Sequence, residues 1–237
     1  MLRQISKRGA AHFEMIIGFV FFIGFTLFLF LFLSPWDNSS LPVSALSALY
    51  NSFEDMAYTN LSSVFVKANY TGTASCFYID LPEEIFRYGV QDESSFVTRL
   101  GGVSIDSGLT GGDLNLNSDD NFFRVAISPE FRDENINSCD NLSDFELGGV
   151  VELEVFSYSA LVNMNNSYYS DYVGLKRKLK VPDIFDFAIV PEGMSEIVMI
   201  PVDGIPDGLD VLAKDYVIKV LKSDGSVSNE RFSLRVW

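Results

Sequence analysis

The chain has little histidine, little cysteine and little positive charge. Its 237 residues include one histidine, His12, and two cysteines, and 17 lysines and arginines stand against 32 acids. Everything after His12 lacks imidazole, which excludes Ser-His-Asp and Cys-His catalysis there and removes the commonest soft metal ligand. Two cysteines without a histidine are too few for a zinc site. G-x-S-x-G, H-E-x-x-H, Walker A and dinucleotide fingerprints are all missing. Carboxylate pairs such as Glu83/Glu84 and Asp119/Asp120 arise by accident on an acidic surface. No catalytic residue is assigned, and the chain is read as a non-enzyme. A formal net charge of −15 argues against nucleic acid or anionic lipid as its main partner. Internal repeats, long linkers and low-complexity tails are also lacking.

What is present begins at the N-terminus. From Met15 to Leu33 there is no charged residue, and Thr26 is the only polar side chain. Seven phenylalanines crowd this run, and apolar side chains surround its whole circumference, unlike a one-faced surface helix. Its 19 residues would form about 28 Å of helix, close to the hydrocarbon thickness of a bilayer. The expectation is a membrane-spanning anchor ended by Pro35 and Trp36. Arg3, Lys7 and Arg8 precede it and Asp37 follows, so the positive-inside rule puts the N-terminus in the cytoplasm and the remainder outside. The expected localisation is a single-pass protein of the cell membrane with an extracellular C-terminal domain.

The lead-in to this run is specific. Lys7-Arg8-Gly9, the small residue Ala10, Glu14 and then the apolar stretch resemble the class III signal of type IV pilin-like proteins, particularly archaeal ones. The resemblance covers about residues 7–33. It departs from many archaeal members in having Ala10 where they carry Gln, and in His12. It implies cleavage after Gly9 by a prepilin-peptidase-like enzyme and a mature chain starting at Ala10. Its implied partners are the membrane and other pilin-like subunits, its own copies included. It also implies an assembly role for Glu14. An ionised carboxylate at the edge of hydrocarbon is costly without a partner, and the amine freed on Ala10 would supply one. The alternative is a carboxylate at headgroup level paired with Arg8 or water. His12 reads either as a member of that pair or as a spacer. The implied organisation is a leader (1–9), a transmembrane and assembly helix (10–35) and an extracellular domain (36–237).

Outside the membrane there would be 14 basic and 31 acidic residues, which suits a soluble surface domain. Cys76 and Cys139 in an oxidising compartment are read as one disulfide. Five N-x-S/T sequons, at Asn38, Asn60, Asn69, Asn141 and Asn165, are glycosylation candidates. One segment has ligand-like spacing: Asp113, Asn115, Asn117 and Asp119 place oxygen at every second residue, as a calcium loop does. Ser118 stands where the turn glycine belongs and Arg124 where the bidentate acid belongs, and Leu114 and Leu116 equally suit a plain strand. Beyond that weak calcium candidate no cofactor is expected.

The rest reads mainly as strand. Val43, Leu46, Leu49, Tyr50 and Phe53 make a helical stripe over 43–57. Extended runs follow at 61–70, 76–81, 99–105, 121–128 and 149–158. Leu161, Met164, Tyr168, Tyr172, Leu175 and Leu179 predict one amphipathic helix. Its end carries Lys176, Arg177, Lys178 and Lys180, readable as a docking patch or as dipole compensation. After runs at 185–190 and 196–201, a hairpin turns at Ser223-Asp-Gly-Ser. The expected fold class is α+β: an N-terminal transmembrane helix, then a mainly antiparallel, sandwich-like ectodomain with one or two packed amphipathic helices. The function expected from the resemblance is a pilin-like, membrane-anchored structural protein, a minor pilin or filament subunit with an adhesive role open to it. The competing class is a monomeric anchored module that binds a solute or glycan.

Overall fold

A computed structural model of the chain describes residues 7–32, 40–70, 76–89, 92–118, 120–136 and 139–237; the side chains of 7–14, 30–32 and 40 lie outside that description. The chain divides into two compact units, Met1–Val43 and Ser44–Trp237. The first contains α1 (Lys7–Phe32), and α2 (Ser40–Ala57) leads into the second. There follow β1 (Tyr58–Ala68), β2 (Phe77–Asp80), β3 (Ser94–Arg99), β4 (Ser104–Ile105) and β5 (Ser107–Thr110). Next come β6 (Asp113–Leu116), β7 (Phe122–Ser128), β8 (Asp140–Asn141), β9 (Phe145–Leu147) and β10 (Val151–Ser157). The chain then forms α3 (Tyr158–Ser170), α4 (Tyr172–Lys178), β11 (Phe187–Glu192), β12 (Leu212–Leu221) and β13 (Val227–Val236).

Eight strands of the larger sheet lie in the order β11-β13-β12-β10-β1-β7-β3-β4, and a ninth, β9, pairs with the end of β1. The smaller sheet is β5-β6-β2-β8. Most neighbours are antiparallel, but β10 runs parallel to β12 through Phe156↔Val220 and Ser157↔Leu221, and β2 runs parallel to β8. The parallel pairs have a topological cause. From β10 the chain crosses over through α3, α4 and β11 before β12, and a crossover of that length permits a parallel return.

One face of the large sheet is covered along its length in two ways. Over β10, β12 and β13 lie the helices: Leu49 and Phe53 of α2 and Leu161 and Leu175 of α3 and α4 pack with Phe156, Val220, Phe232 and Leu234. Phe53 sits between Phe156 and Phe232, at ring-centroid distances of 5.5 and 5.7 Å. Over β1, β7 and β3 lies the small sheet: Phe77, Ile79, Leu114 and Leu116 pack with Val64, Val66, Phe123 and Val125. Burying each such side chain contributes roughly 1.5–3 kcal/mol. On the opposite face only a smaller cluster forms, where Phe131 covers Leu61, Ala126, Val155 and Leu221.

Four expectations are met at the level of elements. The stripe at Leu46, Leu49 and Phe53 lies in α2 and is buried. The hairpin is β12–β13, and Gly225 takes φ +75° at its turn. The extended run 149–158 contains β10. Cys76 and Cys139 form a disulfide, with Cα atoms 4.9 Å apart.

The expected fold class is corrected. Among the described residues no helix is long and apolar enough to cross a membrane. Pro35 and Trp36, expected to end a span, lie outside the described residues. The single-pass localisation therefore has no spanning helix among the described residues to support it. The remaining chain is mostly β, with a nine-stranded mixed sheet, a separate four-stranded sheet and, among the described residues, four α-helices with α1 included. It departs from a sandwich because the small sheet faces only part of the large one, and helices take the rest.

The single amphipathic helix expected over 161–179 is two helices. Asp171 ends α3 in a non-helical conformation (φ −146°, ψ 64°), and its carboxylate accepts the Gly174 N–H to cap α4. A short polar side chain that satisfies a new helix start competes with continuation of the old one.

Candidate functional site

The residues singled out in the sequence fall in several places. Lys7, Arg8, Gly9, Ala10 and Glu14 belong to the backbone of α1, but their side chains lie outside the described residues, as does that of His12. Asn38 and Asp119 are outside them altogether. Asn69 and Asn141 are exposed and line one shallow polar depression with Asp140 and Asp144. Asn60 is half-buried in β1 and accepts a 2.7 Å hydrogen bond from the Tyr58 hydroxyl. Asn165 is half-buried in α3 and donates to the Glu196 carbonyl at 3.2 Å through the same amide nitrogen that would carry a glycan.

Asp113 and Asn115 lie in β6, which pairs with β2 and β5, while Leu114 and Leu116 are fully buried between them. In an extended strand these two side chains share one face, in a row about 6.5 Å apart, instead of converging around one point. Among the described residues no group of three or more His, Cys, Asp or Glu is arranged to hold a metal.

The four-cation run ending α4 divides. Lys176 turns inward and is buried, its Nζ donating to the Asp183 carbonyl and to Asp186 Oδ1, both at 3.1 Å. Arg177, Lys178 and Lys180 stay on or near the surface. A four-residue docking patch is therefore not presented, since one member is an internal tether.

That tether borders a cleft on the helix side. Tyr168 and Tyr169 of α3, Tyr172 of α4, Asp186, Pro201 and Val202 line a hollow of about 320 Å³. Phe187, fully buried, stacks on Tyr172 at 5.4 Å and is met edge-on by Tyr168. The spacing that builds a helix stripe also builds this cluster, because positions 168 and 172 share one face. The hydroxyls are occupied: Tyr168 donates to the Phe187 carbonyl, Tyr169 to the Val198 carbonyl and Tyr172 to Asp186 Oδ1. Burial, the largest cause, and then the neighbouring tyrosines and Asp186 push the Tyr168 phenol far above its ordinary range. Burial and then the bond to Asp186 do the same to Tyr172. These phenols stay protonated at neutral pH, so the cleft offers aromatic faces and one carboxylate but no acid–base pair.

Sequence reasoning also missed two buried carboxylates. Glu130, in the loop after β7, accepts from the Ser157 hydroxyl and, at 2.8 and 3.0 Å, from the hydroxyl and N–H of Ser159. It sits at the start of α3, where the helix dipole favours negative charge. Glu93 accepts from the backbone N–H groups of Arg87 and Tyr88. Burial raises its pKa, and these backbone bonds only partly oppose that. Both anchor loops and are structural. Nothing in their local sequence marks them, since each partner lies in a different segment or turn.

No family model, curated protein or solved structure matches the chain.

Proposed function

We propose that the chain is an extracellular structural subunit of the type IV pilin-like kind, held at its site of assembly by α1, with the 44–237 domain displayed outside the cell. The observation that carries this reading is the surface of α1. Between Met15 and Leu29 every described side chain is apolar except Thr26, and Thr26 returns its hydroxyl to the Phe22 carbonyl at 2.7 Å. Phe19, Phe21, Phe22 and Phe25 are all more than 60% exposed. A helix apolar all round is out of place in water, and neighbouring helices of the same kind would cover it. The Lys7-Arg8-Gly9 lead-in supports processing by a peptidase of the prepilin type, and Glu14 supports a charge-paired register between subunits. The disulfide supports display in an oxidising compartment, where exposed Asn69 and Asn141 are accessible to glycosylation.

Mass spectrometry of the native N-terminus tests the reading. The expected mature chain begins at Ala10, and Gly9→Val blocks the cut. An N-terminus at Met1, or anywhere after Leu33, contradicts it.

The tyrosine cleft favours a second reading, an anchored binding module for a glycan, because stacked aromatic faces beside a carboxylate suit a sugar ring. Saturable binding of an oligosaccharide that is lost in Tyr169→Ala, by a protein that stays monomeric, would favour that reading over assembly.

A further inference from the structure

The two faces of the large sheet differ in charge as well as in cover. On the open face, at the ends of β1 and β7, Phe65 and Phe122 are about half exposed, and Leu100 beside them is 70% exposed. Together with Lys67, Glu146 and Gly148 they line a shallow apolar hollow of about 220 Å³. Register places Lys67 opposite Phe122 and Phe65 opposite Arg124, so two cations stand among these rings. Lys67 shares its charge with Glu146 at 3.1 Å, and the guanidinium of Arg124 meets the Ser63 hydroxyl. With two cations and one acid, Glu146, this apolar patch carries a net positive charge, out of character for a chain of net charge −15.

Its complement is carried elsewhere on the same chain. From Val181 to Ala213 there are seven acids and no cation. The loop 202–211 in that stretch alternates Val202, Leu209 and Val211 with Asp203, Asp207 and Asp210, all six exposed. Val202 alone is 90% exposed. This loop borders the tyrosine cleft on the helix-covered side, whereas the patch is on the open side.

We propose that the acidic, apolar loop 202–211 of one copy docks on the Phe65–Phe122–Arg124 patch of a second copy. Apolar groups on the loop cover the exposed rings, and its aspartates face Lys67 and Arg124. Patch and loop sit on opposite sides of the sheet, so the contact joins different copies. It is heterologous, and a heterologous contact propagates into a ring or an open filament. This deepens the proposed assembly role and rests on it, adding a domain-level contact to the one made by α1.

The test uses the full chain in detergent, as an equal mixture of isotopically light and heavy copies, with a photo-crosslinking phenylalanine analogue at position 65. The expected adduct joins position 65 to the tryptic peptide Val181–Lys214 of the other copy, and its yield falls about tenfold between 50 and 500 mM salt. Lys67→Glu with Arg124→Glu in one chain, and Asp203→Lys with Asp207→Lys and Asp210→Lys in another, each abolish the adduct when alone. Mixing the two variants restores it, because each then meets opposite charge. Circular dichroism and an intact disulfide establish that both variants fold, and the restored adduct requires it. Adducts to any other peptide, an adduct indifferent to salt and charge, or no adduct at all overturn the proposal. Association through α1 is apolar and persists at 500 mM salt, so salt-resistant oligomers without the 65 adduct would refute this contact and leave the assembly reading standing.

Discussion

α1 and α2 are both rich in apolar residues, yet they solve the burial problem in opposite ways. In α2 the apolar residues form a stripe, and Ala45, Leu46, Leu49, Phe53 and Ala57 are buried against the helix-side core. In α1 they occupy the whole circumference, and Met15, Phe21 and Phe22 are each more than 60% exposed. The stripe is buried within the 44–237 unit, and the described side chains of the cylinder are exposed. The difference teaches what each pattern is for: the stripe of α2 contributes to stability, and the cylinder of α1 is the part to which the proposed assembly assigns contacts with other molecules.

Substitutions sharpen that contrast, starting with the largest expected effect. Phe53→Ala removes a fully buried ring and is expected to cost about 3–5 kcal/mol, lowering Tm by on the order of 10 °C. Phe25→Ala in α1 is expected to leave the domain's Tm unchanged while weakening association. Calorimetry on both variants, with sedimentation in detergent, checks the pair. A large loss of domain stability in Phe25→Ala would break the comparison.

Breaking the disulfide comes next. Cys76 and Cys139 are 63 residues apart, and Cys76→Ser with Cys139→Ser is expected to cost about 4 kcal/mol in the chain-entropy account. Urea unfolding measures it. A smaller effect follows from Glu130→Ala, which leaves the Ser157 and Ser159 groups at the start of α3 without their acceptor and is expected to cost about 1–3 kcal/mol. A variant as stable as the parent would show that this clasp is incidental.

The smallest effect is a pH dependence at Glu93. Its pKa is raised by burial, so the folded state holds the proton to higher pH than the unfolded state does. The unfolded state then binds fewer protons, and stability falls as pH rises from the ordinary glutamate range through the raised folded value. Glu93→Gln is expected to flatten that slope in unfolding curves taken from pH 4 to 8. An unchanged slope would assign it to another group.

The sequence was most legible where a pattern is local. The α2 stripe, the alternation of Val150-Val-Glu-Leu-Glu-Val-Phe and the turn at Gly225 each depend on residues a few positions apart. It was least legible where partners are remote. Nothing near Phe156 announces that Val220 will lie beside it in parallel, and β4, β5, β8 and β9 have at most four residues each and are set by their neighbours. The tyrosine cleft followed the same rule. Tyr168 and Tyr172 were visible as a helix stripe, but Asp186 and Val202 reach them only through the fold. Lys176 looked like one member of a cationic surface and is buried, because Asp183 and Asp186 come back to meet it. The spanning helix expected from Met15 to Leu33 rested on composition and length together, and among the described residues no helix is long and apolar enough to cross a membrane.

The most direct measurement of the assembly reading is crosslinking of the wild-type chain and Glu14→Gln in native membranes. Glu14→Gln keeps the shape of the side chain and removes its charge, and an interfacial charge pair contributes on the order of 1–3 kcal/mol per contact. The account predicts a ladder of multimers for the wild type and a shortened one for Glu14→Gln, with processing and membrane association the same in both. A single monomer band from processed wild-type protein, identical in the variant, would contradict it.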